Sequence, residues 1–305
     1  MNVDQTEAGA ADMCCASCGK SEVDDIKLKI RDDCDLVKYC SDQCQQDHLP
    51  QHEVMCKERV VELRDEKLFK QPESSFMGDC PICFLPLPLD PKKSSMQSCC
   101  SKVVCKGCLY ADFLRQLEER LGRVCPFCRQ PLPKGEEEAH RNNMKRAEAN
   151  DPIAIRCIGA KHYSAGDYDT AFEYWTKAAE LGDAVAHFGL SLLYEKGDVE
   201  KDKKKEVYHL EKAAIAGHHL ARFKLGLYER KNEGFERAVK HWIIAANLGS
   251  DEAIGVLKQC YKWGKVTKED FATALRGHQA AVDATKSLHR EAAPEMVTGR
   301  EVYWE

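Results

Sequence analysis

The chain lacks any apolar stretch of the ~18 residues that a membrane helix needs, and its mean hydropathy is −0.51. The sequence therefore predicts no transmembrane span. Residues 1–12 are acidic, with no apolar core and no arginine run, so the expectation is no leader for secretion or organelle import. The chain has little net charge. Lys and Arg total 45 against 50 for Asp and Glu in 305 residues, a net −5. That balance argues against bulk attraction to nucleic acid or to an anionic membrane. No strong basic import cluster, nucleophile–base pair, phosphate-binding glycine loop or dinucleotide fingerprint is present. The expectation is a cytoplasmic or nuclear protein long enough for two or three domains.

What the chain does have is cysteine, 17 in all. Fifteen lie between Cys14 and Cys128, and just Cys157 and Cys260 come later. A disulfide framework needs an oxidising compartment, and nothing directs the chain to one. Clustered, short-spaced cysteines in a reducing compartment read as metal ligands. The isolated Cys157 and Cys260, at helical spacing among apolar residues, read as buried thiols.

Cys15-Ala16-Ser17-Cys18 is a C-x2-C pair, followed by Cys34, Tyr39-Cys40, Cys44, His52 and Cys56. Tetrahedral zinc wants four N/S ligands, and short turns offer two at a time. Gly19 suits the tight knuckle. A segment this short buries no useful core, so metal must supply the folding energy, roughly 10–16 kcal/mol per structural zinc. The run from Cys15 to Cys56 resembles a MYND-type zinc finger. The resemblance implies cross-braced sites, the first of Cys15, Cys18, Cys40 and Cys44. The second is Cys34, His52, Cys56 and a cysteine three residues before Cys34, where this chain has Arg31. A cation cannot ligate zinc. Asp32, Asp33 or His48 could substitute, with His48 otherwise a plain surface residue of a helix, or the site is weak or empty. Cys14 is a spare. The resemblance further implies binding of an extended peptide, against a structural knuckle with no partner.

Residues 57–70 mix charges with Val60, Val61, Leu63 and Leu68, which predicts a short solvated helix in a linker. Four more pairs follow: Cys80/Cys83, Cys99/Cys100, Cys105/Cys108 and Cys125/Cys128. Eight ligands suit two zinc ions. Residues 84–98, with Pro86, Pro88 and Pro91, predict a loop or extended strand. Leu109, Phe113, Leu114, Leu117 and Leu121 predict a helix that Gly122 ends. The arrangement resembles a RING finger of the all-cysteine kind, since Lys102 holds the usual histidine position and Cys99-Cys100 supplies the substitute. That resemblance implies one zinc on Cys80, Cys83, Cys105 and Cys108, and another on Cys99, Cys100, Cys125 and Cys128. It also implies that Ile82 and Pro126 dock a ubiquitin-conjugating enzyme while Arg129 pins ubiquitin, an orientation role in transfer. The plain reading packs Ile82 under its knuckle, makes Pro126 a turn residue and leaves Arg129 solvated.

From about residue 151 the composition turns alanine-rich and periodic. Lys177-Ala178-Ala179-Glu180-Leu181-Gly182 returns as Lys212-Ala213-Ala214-Ile215-Ala216-Gly217 and as Ala245-Ala246-Asn247-Leu248-Gly249. Ala186/Leu190/Tyr194 returns as Ala221/Leu225/Tyr228 and Ala253/Leu257/Tyr261. Trp175 and Trp242 precede their glycines by seven residues, and Leu210 fills that slot in the second copy. The pattern predicts helix pairs that bury their faces by stacking, with glycine ending each second helix. It resembles Sel-one-like repeats of the tetratricopeptide-like class, an α-solenoid that binds proteins. A degraded fourth copy over 253–284 caps the stack. His218 and His219 read as a solvated pair in a turn.

The expected fold is thus two small cross-braced zinc modules followed by an all-α solenoid of helix-pair repeats. Its divisions are a disordered 1–14, a MYND-type finger 15–56, a helical linker 57–79, a RING-like finger 80–130, a linker 131–150, repeats 151–284 and a tail 285–305. The tail is expected to be unstructured apart from capping by Val302, Tyr303 and Trp304. Three zinc ions are expected firm and a fourth doubtful. Two functions fit: a RING-type ubiquitin ligase whose repeats recruit a client, or a non-enzymatic adaptor whose zinc modules bind proteins. The first implies a ubiquitin-conjugating enzyme as partner.

Overall fold

The computed structural model describes residues 14–18, 20, 27–30 and 37–293, the side chains of Ile30 and Gln51 apart. Gly19, Arg31, Asp32, Asp33, Cys34 and the capping residues Val302, Tyr303 and Trp304 lie outside the described residues. The chain divides into two compact units, Met1–Lys70 and Gln71–Glu305.

In the first unit, β1 (Lys29–Ile30) pairs antiparallel with β2 (Lys38–Tyr39). Ser41 then caps α1 (Asp42–Phe69), its hydroxyl accepting from Cys44 N at 3.2 Å. The 28 residues of α1 extend about 42 Å at the usual rise. The linker helix foreseen over 57–70 is therefore no separate element. It continues the helix that carries Cys44, His52 and Cys56, straight through Pro50. Lys57–Glu53 at 2.6 Å and Arg59–Glu66 at 2.9 Å lace its wet face.

The second unit begins with the eight-cysteine module. β3 (Ser94–Gln97) and β4 (Lys102–Cys105) form an antiparallel hairpin, with Ser94 opposite Cys105. α2 (Lys106–Glu118) follows, capped by the Cys105 sulfur. The helix lies three residues earlier than the leucine spacing predicts, and only Leu109 of the predicted leucines packs on the module's core. Leu114, Leu117 and Leu121 are exposed, while Gln116 is buried. Gln116 exchanges hydrogen bonds with Val124, its Nε2 donating to Val124 O at 3.1 Å and its Oε1 accepting from Val124 N at 3.2 Å. A two-sided amide bond holds the last knuckle more specifically than a leucine could.

Ten further helices follow among the described residues: α3 (Glu136–Glu148), α4 (Pro152–Ser164), α5 (Tyr168–Glu180), α6 (Ala184–Lys196), α7 (Lys203–Ile215), α8 (His219–Lys231), α9 (Phe235–Asn247), α10 (Asp251–Lys262), α11 (Lys268–Ala284) and a short α12 (Leu288–Ala292). From α4 to α11 they form four antiparallel pairs. Gly182, Gly217 and Gly249 follow α5, α7 and α9 with φ of 87°, 84° and 93°, the left-handed stop that glycine adopts freely. The 131–150 segment, foreseen as a linker, contains α3, whose Met144 and Ala147 enter the first core beside Ile155, Trp175 and Leu190. The foreseen unstructured tail likewise contains α12.

Trp175 and Trp242 each lie in a slot cut by glycine. A methyl on Gly159 would stand 2.6 Å from Trp175 Cδ1, and one on Gly226 would stand 2.3 Å from Trp242 Nε1. Both glycines precede their tryptophan by sixteen residues. In the second copy the slot holds Leu210, and Ser191, the eighth residue of α6, stands where Gly159 stands in α4 and Gly226 in α8; Leu210 and Ser191 are both buried. Glycine plus tryptophan gives way to serine plus leucine, a small increase against a larger decrease that keeps the volume similar.

The eight-cysteine module is built into this solenoid. Phe76 N donates to Gly217 O at 3.3 Å, and Asn247 Nδ2 donates to Gln71 Oε1 at 3.1 Å. Arg146 Nε of α3 donates to Ser101 Oγ at 2.7 Å. His218 is sandwiched between Phe76 and Phe188, at 4.4 Å from each ring. The solvated histidine pair of the sequence reading is thus corrected: His218 and His219 are buried, 3% and 8% exposed. They cap and open α8 on the face that the segment before Cys80 covers. His218 Nδ1 accepts from Ala221 N at 3.3 Å. Burial, with His219 and Arg156 adding, pushes its pKa down to about 3.

Candidate metal centres and docking groove

Turns bring the cysteines together. Cys80 and Cys125 open twin knuckles. Cys80 N donates to Leu85 O at 3.0 Å and Phe84 N to Cys80 O at 2.9 Å; Cys125 N donates to Gln130 O at 2.8 Å and Arg129 N to Cys125 O at 3.0 Å. The residue after each second cysteine, Phe84 or Arg129, takes left-handed φ of 57° and 63°. The backbone position of Arg129 is therefore a property of the knuckle, whatever its side chain does.

Among the described residues three groups of four sulfurs result: Cys15, Cys18, Cys40 and Cys44; Cys80, Cys83, Cys105 and Cys108; Cys99, Cys100, Cys125 and Cys128. Within each group the sulfurs lie within 4.8 Å of one another. Cys18–Cys40 and Cys40–Cys44 measure 3.6 Å, Cys83–Cys105 3.8 Å, Cys100–Cys125 3.9 Å and Cys99–Cys128 3.4 Å. Disulfide sulfurs would be ~2.05 Å apart. Four sulfurs at ~2.3 Å from one zinc would stand ~3.8 Å from each other. The spacing fits the metal. The thiols of one cluster are pushed apart: hydrogen bonds with Cys18 and Cys44 raise Cys40 to about 12, while burial raises Cys15 but backbone hydrogen bonds from Cys18, Cys40 and Ser17 outweigh it and bring it down to about 6. A divalent cation among them favours the thiolate form of all four.

His52 and Cys56 are both buried on α1, but Cys34 is outside the described residues. His48 is more than a surface residue: its Nδ1 lies 3.0 Å from Tyr39 Oη, and its ring stacks on His52. Cys14 is half-buried and belongs to none of the three groups. Cys157 is half-buried, its thiol pushed up by burial. Cys260 is buried in the last core.

Ile82, Pro126 and Arg129 line one groove of about 500 Å³, together with Leu85, Ala111 and Asp112. Arg129 Nη1 stands 3.5 Å from Asp112 Oδ1, and its side chain is largely exposed. The opposite wall is Ser287, His289 and Arg290. Sequence reasoning missed that wall, because nothing local to α12 marks it as a neighbour of Cys83.

The MYND finger family model matches residues 15–56, and the Sel1 repeat model matches 159–183, 184–218 and 220–250. The chain is 29% identical over 137 residues to human "Protein sel-1 homolog 2", covering 42% of this chain and 20% of that protein. It is 31% identical over 184 residues to rat "DAP3-binding cell death enhancer 1", covering 47% and 36%. It thus spans about a fifth to a third of the length of these curated relatives. A Sel1 repeat protein from Oxalobacter formigenes is 27% identical with TM-score 0.43, covering 51% of this chain and 67% of that one. The chain therefore carries a MYND finger, which implies zinc, and a Sel1 solenoid. No helix among the described residues is long and apolar enough to cross a membrane.

Proposed function

We propose that the protein is a two-surface scaffold: its Sel1 solenoid holds a client, and its eight-cysteine module recruits a second protein. The carrying observation is the module's surface. Ile82, Phe84, Leu114, Leu117, Leu121 and Phe127 are all exposed large apolar residues within one small domain, a density that marks protein contact. The module is fastened to the solenoid through Phe76, Ser101 and Gln71, so two bound proteins are held in fixed relation. A peptide on the MYND finger would add a third contact.

One observation favours a sharper reading. Ile82, Pro126 and Arg129 share a groove, as a RING-type ubiquitin ligase requires, with two of them meeting a conjugating enzyme and Arg129 restraining ubiquitin. Discharge of ubiquitin thioester from a panel of conjugating enzymes tests it. Ile82→Ala should abolish stimulation with zinc content unchanged, and Arg129→Ala should slow discharge without loss of binding. A wild-type chain inert with the whole panel would remove the ligase reading. For the scaffold, quantitative affinity capture with wild type and with Ile82→Ala/Leu117→Ser should divide the partners into a lost and a retained class. A single class, lost or retained as a whole, would sink the two-surface idea.

A further inference from the structure

The described chain returns at its far end to its first eight-cysteine knuckle. After α11 it turns into the five-residue α12, and Arg290 of that helix lies against the turn of Cys80 and Cys83. Arg290 Nη1 donates to Pro86 O and to Thr285 O, both at 2.7 Å. Its Nη2 donates to Leu85 O at 3.0 Å and to Cys83 Sγ at 3.3 Å. The backbones are equally close. A methyl on Gly107 of α2 would stand 2.8 Å from Arg290 N, so glycine is what lets α12 seat.

These contacts address both things a knuckle must hold. A divalent ion among four thiolates carries a net charge of roughly −2, and a guanidinium on one sulfur offsets part of it through a charge-assisted hydrogen bond. Leu85 O is also the acceptor for Cys80 N, so the same fork braces the turn that sets the ligand spacing. Groups that donate to metal-bound atoms orient the ligands and raise metal affinity by about 10–100-fold. A lysine would bring charge without the planar fork.

We propose that Arg290 is an outer-shell residue of the metal site Cys80/Cys83/Cys105/Cys108, and that α12 is a strap that slows loss of the ion from it. The twin cluster of Cys99, Cys100, Cys125 and Cys128 serves as the internal control. Arg290 and Gly107 also line the groove, so metal retention is measured on the chain without a groove partner.

The test uses the full zinc-loaded chain, a competing chelator and timed alkylation, with each cysteine read by peptide mass spectrometry. In Arg290→Ala, Cys80, Cys83, Cys105 and Cys108 should be labelled about tenfold faster or more, while the other four keep their rate. Arg290→Lys should fall between. Gly107→Ala removes no donor but pushes α12 away, and should accelerate the same four. Helical circular dichroism on the same samples monitors the solenoid. Wild-type labelling rates in both Arg290→Ala and Gly107→Ala would overturn the proposal, and so would equal acceleration of both clusters.

Discussion

Across residues 152–284 the core is filled by Trp175, Leu190, Leu210, Leu225, Trp242 and Leu257 over buried alanines. Across residues 80–128 the buried apolar set shrinks to Leu87 and Val104 among cysteines. The first region holds its shape by packing, the second by whatever binds its sulfurs. Yet they are one compact unit, because Phe76, Ser101 and Arg290 reach across. A cysteine-rich module can thus be a fixed part of a hydrophobic solenoid without sharing its core.

The largest effect expected from this contrast is metal removal. Zinc binding supplies about 10–16 kcal/mol per structural site, so chelation should abolish hydrogen-exchange protection in residues 80–128. The solenoid should keep its helical circular dichroism. Joint loss of both signals would break the contrast and make packing depend on metal.

Next comes the solenoid's own weak point. Trp242→Ala should cost about 3–5 kcal/mol by urea unfolding, with the metal clusters unaffected. Leu210→Trp should cost about 1–3 kcal/mol by overpacking, and adding Ser191→Gly should recover part of it. If the pair is no better than Leu210→Trp alone, the volume exchange between repeats is coincidence.

The smallest effect is pH. Burial, then the charges of Arg222 and Arg237, depress His241 to about 3, as burial does His218. Between that value and ~6.5 the unfolded chain binds a proton that the folded chain does not. Stability is therefore full above pH ~6.5 and falls as pH drops toward 3, by about 2 kcal/mol per histidine at pH 5. The urea midpoint of chelated protein, measured at pH 7 and pH 5, should show it, with a shallower slope in His241→Phe. An unchanged slope would mean His241 titrates normally.

Cysteine spacing made twelve of the clustered sulfurs legible, because knuckle geometry is local, and the glycine period did the same for the helix pairs. What escaped depends on distant neighbours. His218 and His219 look solvated beside Gly217 until Phe76 is laid over them. The leucines of α2 have helical spacing, yet Gln116 is the buried residue, since Val124 offers it two backbone partners. α3 and α12 carry few large apolar residues, and their places follow from Met144 in one core and Arg290 on a knuckle.

Arg290 and Cys83 are 207 residues apart. At about 5–20 residues per second of synthesis, the first knuckle leaves the ribosome about 10–40 s before the helix that straps it exists. During that interval the cysteines meet cellular metal, oxidants and chaperones without their last contact. Order of birth thus separates loading from locking: the ion enters an open site, and the chain closes over it 207 residues later.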